Sequence, residues 1–126
     1  MIKIITYIGI GGFIGSVARY YLASYVQTRM AGSWPFGTFA VNLIGCFVIG
    51  LVFSLAERAV VAPGLRLFLV TGLCGGFTTF SAFSMEIFSL LRAGQLFHAL
   101  SYAIFSLLLG LCGVWAGITA GKAIQF

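Results

Sequence analysis

Charge is what this sequence has least of. Seven Lys and Arg and two glutamates make up 7% of its 126 residues, against about 25% charged residues in a soluble domain. A chain this poor in charge cannot present a wet surface; 61% hydrophobic residues and a mean hydropathy of +1.13 place it in a membrane. The carboxylates are Glu57 and Glu86 and the only histidine is His98, all far apart in sequence. From so few groups no acid–base or nucleophilic constellation can be assembled, which argues against an enzyme. The three cysteines, Cys46, Cys74 and Cys112, form no C-x-x-C pair and no metal-ligand cluster, and read as small apolar residues facing neighbours. Basic residues are in excess but scattered at the ends of apolar runs, so they read as snorkelling anchors and predict no nucleic-acid partner.

What the chain has instead is four long apolar runs, at about 4–26, 36–56, 66–91 and 96–121. Each approaches the roughly 20 residues needed to cross a bilayer. The fold class expected is an all-α integral membrane protein, a single four-helix domain over 1–126. The joints are short, and both prolines, Pro35 and Pro63, fall in them, where they do not interrupt a helix. Four spans put both termini on one side, together with Lys3, Arg58, Arg66 and Lys122. The opposite side receives Arg29, Arg92 and, if it snorkels outward, Arg19. Four against three is almost no orienting bias. A chain of this kind is expected to insert both ways and to pair with its inverted copy about a two-fold axis in the membrane plane. Four helices also leave little room for a pore within one subunit, so any pathway is expected at an interface between chains.

Polar residues inside such runs are costly. Asn42 lies deep in the second run, and two roles stand open for it: glue between helices, or a pathway residue whose amide NH₂ donates to an anion. Thr38 sits one turn earlier on the same face. On the fourth run Tyr102 and Ser106 are likewise four apart, with His98 a turn before. Gly9, Gly11, Gly12 and Gly15 form a small-residue face suited to close helix packing. Trp34 and Trp115 read as interfacial or lipid-facing aromatics. The segment GLCGGFTTFSAFSME (72–86) is the least regular. Gly72, Gly75 and Gly76 predict a helix interrupted at mid-membrane, where freed carbonyls make a natural cation site. Phe77, Phe80 and Phe83 recur every third position. Their ring edges carry positive character and would attract an anion weakly, although on spacing alone packing or lipid contact is the better explanation.

Three motifs, GGFIGSVARYYL (11–22), GTFAVNLIGCFVIG (37–50) and GLCGGFTTFSAFSME (72–86), together resemble the signature segments of the bacterial Fluc/CrcB fluoride channels, in order and over essentially the whole chain. The resemblance implies an inverted, dual-topology homodimer in the bacterial inner membrane, with passive and electrogenic fluoride export through two pathways. It implies a structural sodium ion at the dimer axis, held by the backbone carbonyls of Gly75 and Thr78 from both chains. It places Phe80 and Phe83 as a pore phenylalanine box and Asn42 along the anion path. Thr38, Tyr102 and Ser106 match polar track positions, Thr79 and Ser81 flank the break, and Arg19 and Glu86 are vestibular or structural. One departure stands out: Ala82 occupies a position that is commonly threonine or serine in the family.

Two rival functions are weighed against this one. A small multidrug-type transporter also has four spans and dual topology, but it needs a carboxylate in its first span, and none is present here. A non-conducting membrane subunit would leave Asn42 and the phenylalanines free to vary.

Overall fold

The computed structural model describes residues 1–58 and 61–124. Six α-helical elements and one π-helical stretch form four membrane-length passes, and no strand occurs among the described residues. The first pass is α1 (Ile2–Arg29) and the second α2 (Phe36–Glu57). The third is composite: α3 (Pro63–Arg66), a π-helical stretch (Leu67–Cys74), α4 (Gly75–Phe77) and α5 (Phe80–Arg92). The fourth is α6 (Leu96–Ala123). At about 1.5 Å per residue, helices of 22 to 28 residues exceed the roughly 30 Å of hydrocarbon they must cross. The chain reverses at Gly32 and Gly94, whose φ of 95° and 76° explain why glycine stands at each turn.

Two helix pairs organise the subunit. α2 lies along α6, and α1 lies along the π-helical stretch and α4. Both contacts are built from glycine, because in lipid no hydrophobic force draws helices together and close backbone approach must do so. A Cβ added at Gly11 would sit 2.5 Å from the Phe68 carbonyl, and one at Gly76 2.6 Å from the Gly12 carbonyl. Gly117 and Gly50 meet the Phe47 and Val114 carbonyls in the same way across α2 and α6. The small-residue face expected on the first span is therefore a packing seam, apart from Gly9, which touches nothing.

The interruption in the third pass is real but lies elsewhere than the glycines suggest. Gly72, Gly75 and Gly76 are all helical. The chain becomes extended at Thr78 (φ −92°, ψ 155°) and Thr79 (φ −151°, ψ 122°), then restarts as α5. Gly72 and Gly76 are there to let α1 approach, while the threonines supply the hydroxyls that terminate one helix and begin the next. Thr78 Oγ1 donates back to the Cys74 carbonyl at 2.8 Å. Thr79 Oγ1 accepts from the Ala82 N–H at 3.3 Å, an N-cap for α5. Position 82 contributes its backbone to this cap, so the missing hydroxyl of Ala82 leaves the break intact.

Few side chains are buried: Val41, Val52, Cys74, Leu90, Ala99 and Tyr102 make up the apolar interior. Large apolar residues such as Phe13, Phe97 and Trp115 point outward, as a lipid-solvated surface allows. Of the two tryptophans expected at an interface or facing lipid, Trp115 is exposed and Trp34 is half-buried. It turns inward, with its ring against Phe36, Phe39 and Tyr102 at centroid distances of 4.7, 5.0 and 5.3 Å.

Candidate functional site

The helix break opens onto a groove of about 440 Å³ between α2, the third pass and α6. Its wall is mostly apolar, with a few polar groups converging on it. Asn42 from α2, Thr79, Phe80 and Phe83 from the third pass and Ser106 from α6 all line it. Gly75 and Thr78 line the same space. Seven residues from three separate stretches of sequence are thereby brought to one surface.

Asn42 has a structural bond and keeps a free donor. Its Oδ1 accepts the Thr79 N–H at 3.2 Å, which ties α2 to the break. Since only the carbonyl end can accept an N–H, the NH₂ group remains available. The bond ties helices together, as expected of glue, and it leaves the NH₂ end without a partner. Ser106 reinforces the point: its hydroxyl is buried without any partner, although a buried polar group left unpaired costs about 1–3 kcal/mol.

The carbonyls expected to hold sodium are also in a suitable state. In an uninterrupted helix the Gly75 carbonyl would accept from the Thr79 N–H, which Asn42 engages instead. The Thr78 carbonyl would accept from the Ala82 N–H, which Thr79 Oγ1 engages. Both residues line the groove, so the donor set fits a hard cation bound by backbone oxygen. Arg19 satisfies a third carbonyl freed here, with Nε donating to Gly76 O at 3.1 Å. It is half-buried and does not snorkel outward.

Phe80 and Phe83 differ in support. Phe80 is 78% exposed in the single subunit, its ring 6.0 Å from that of Phe83. Phe83 packs on Tyr102 at 5.0 Å. Tyr102 is fully buried and donates its hydroxyl to Glu86 Oε1 at 3.1 Å, while Thr38 Oγ1 donates to Glu86 Oε2 at 2.9 Å. Glu86 has both oxygens engaged from within the subunit. It also lines a second pocket of about 400 Å³ with Gln27, Ser33, Ser89 and Gln95. Thr38, Tyr102 and Glu86 thus form a bonded layer between the phenylalanines and this outer pocket. Ser81 lies on the exposed side, 3.3 Å from Thr79 Oγ1, away from the groove wall.

Sequence reasoning missed Gln27 and Ser101. Gln27 Oε1 accepts from the Gly37 N–H at 2.9 Å and its Nε2 donates to the Trp34 carbonyl at 3.0 Å, tying α1 to the start of α2. Ser101 accepts from the Trp34 indole N–H at 2.9 Å. Gln27 falls just past the first apolar run, where a polar residue asks for no explanation, and Ser101 is an ordinary residue of the fourth.

The sequence matches known proteins over most of its length. The family described as CrcB-like protein, Camphor Resistance (CrcB), matches residues 6–118. The chain is 43% identical over 123 residues to the fluoride-specific ion channel FluC of Flavobacterium psychrophilum, covering 97% of this chain and 99% of that protein. It is 49% identical over 116 residues to the FluC of Chlorobium phaeobacteroides, covering 91% and 89%. It is 43% identical over 121 residues to that of Geotalea uraniireducens, covering 95% and 98%.

Proposed function

Since the chain belongs to the CrcB family, we propose that it works as its FluC relatives are named: it is a fluoride-specific ion channel. The observation that carries the reading is the groove beside the helix break. There Asn42, whose NH₂ has no partner, lines one space with Phe80, Phe83 and Ser106, the last with its unpartnered hydroxyl buried in the wall.

Fluoride is small and strongly hydrated, so a selective path must replace its water with donors placed close together. Amide and hydroxyl donors do this directly. The phenylalanine edges add weak positive potential without a fixed countercharge that would trap the ion. Release matters as much as entry, and no cationic side chain is among the residues lining the groove. Chloride is larger and is turned away by width. With no energy source coupled to it, flow is passive and electrogenic, and in the inner membrane of a bacterium it exports fluoride.

The groove is open on one side of the subunit, and Phe80 stands out from it. An inverted second copy covers that side, closes the pathway and brings two breaks together near the axis. The backbone carbonyls of Gly75 and Thr78 from each chain would hold a sodium ion there, and its charge would offset theirs. Sodium supplies rigidity at the axis.

The test is fluoride efflux from liposomes holding the purified protein, followed by electrode and compared with chloride-loaded vesicles. Fast, valinomycin-dependent fluoride release without chloride release is expected. Release no faster than from empty vesicles, by dimeric protein with sodium present, would overturn the reading.

A further inference from the structure

The fluoride pathway makes no direct use of the α1–α2 loop, yet Trp34 in that loop is held on every side. Its indole N–H donates to Ser101 Oγ at 2.9 Å, and Ser101 in turn donates to the His98 carbonyl at 3.1 Å. Its own carbonyl accepts from Gln27 Nε2 at 3.0 Å and from the Phe36 N–H at 2.8 Å. Its ring meets Phe36, Phe39 and Tyr102, the last edge-on at 76°. One indole thus engages two consecutive residues of α6, Ser101 by a hydrogen bond and Tyr102 by its ring.

The Tyr102 ring is fully buried with Trp34 at 5.3 Å and Phe83 at 5.0 Å. A phenol hydroxyl goes where its ring points, so a ring held by these two neighbours has one direction for its hydroxyl. That direction is Glu86 Oε1. If the ring were free to tilt, Glu86 would lose one of its two donors and Phe83 one of its aromatic supports together.

We infer that Trp34 is a positioning residue for the ion pathway: anchored through its indole N–H to Ser101, it holds the Tyr102 ring so that the tyrosine hydroxyl stays on Glu86 and Phe83 keeps its place beside the groove. The inference rests on the channel reading, and it assigns a conduction role to a loop residue that does not touch the ion. Glycine-seamed helices fix the backbone of this subunit, but they do not fix the tilt of an aromatic ring, and Trp34 does.

The experiment is a set of efflux measurements on full-length protein in liposomes, each variant checked for dimer assembly by size exclusion. Ser101→Ala removes the acceptor of the indole N–H and leaves every ring in place; Ser101→Thr keeps a hydroxyl there. Trp34→Phe keeps an aromatic ring and loses the N–H. Each is also made in a Tyr102→Phe background. Ser101→Ala and Trp34→Phe should slow fluoride efflux several-fold with assembly unchanged, and Ser101→Thr should run close to the wild-type rate. In Tyr102→Phe protein each change should slow efflux less than it does in the wild type, because the hydroxyl is gone and only the support of Phe83 through the ring remains. Wild-type efflux in Ser101→Ala overturns the inference, as does a loss that multiplies in full with that of Tyr102→Phe. If Trp34→Phe does not assemble, the Ser101 pair decides alone. Absence of efflux from the wild type removes the channel reading itself, and the inference with it, and is thus told apart from a failure of positioning.

Discussion

Asn42 shows what one side chain must do here. Its oxygen holds the Thr79 N–H, and its nitrogen is left without a partner at the groove wall. Asn42→Asp keeps the acceptor, removes the donor and adds a negative charge. The helix break should survive while fluoride efflux falls at least about ten-fold, since a hydrogen bond to a charged group is worth about 1.5–3 kcal/mol. Dimeric Asn42→Asp protein with normal efflux would assign the residue to helix glue alone. The phenylalanines divide differently. Phe80 stands out of the subunit, so Phe80→Ile should cost the isolated fold little, whereas Phe83→Ile removes a ring from the Tyr102 cluster and should lower the unfolding temperature too. Both should slow efflux, and wild-type flux in both would end the ring-edge account. Asn42 was legible in the sequence because an amide in an apolar run must be explained. The engagement of Glu86 was not, since Thr38 lies 48 residues away and nothing local joins them.

At the scale of elements the sequence reading was right about the passes and wrong about the cause of the break. All four runs are helices, because apolar length in lipid leaves the backbone few other ways to satisfy its hydrogen bonds. The glycines at 72 and 76 looked like weak points and are instead seams, since glycine both loosens a helix and admits a neighbour. Only the position of α1 distinguishes the two. The distinction is testable at Gly15, where an added Cβ would collide with the Leu73 carbonyl, against Gly9, where it would meet nothing within 4 Å. Gly15→Ala should destabilise the protein by about 1–3 kcal/mol, as overpacking does. Gly9→Ala should be neutral or slightly stabilising, because alanine is the better helix former. Thermal unfolding in detergent measures both, and equal midpoints would mean that α1 is not held by this seam.

The whole molecule raises the matter of its orientation, and there one residue changes the arithmetic. Counted from the sequence, four cations face three across the membrane. Arg19 is half-buried well inside α1 with its Nε on the Gly76 carbonyl. That leaves Arg29 and Arg92 at the helix ends of their side against Lys3, Arg58, Arg66 and Lys122, of which Arg58 also donates to the Gly121 and Ile124 carbonyls. Each of these two arginines lies by an aromatic ring at the end of its helix, Arg29 by Tyr25 at 4.2 Å and Arg92 by Phe88 at 6.0 Å. If inverted pairing is how the groove closes, both orientations must be populated, and these two charges are what keep the second one accessible. Removing both, in Arg29→Ala/Arg92→Ala, should drive the chain into a single orientation, read by C-terminal reporters on the two sides of the membrane. Neither residue lines the groove, yet fluoride resistance should be lost, because copies facing the same way cannot cover each other's open side. Co-expression with a chain biased the opposite way, by added lysines beside Arg29 and Arg92, should restore it. Full resistance from a population shown to face one way would mean that the groove closes by some means other than an inverted copy.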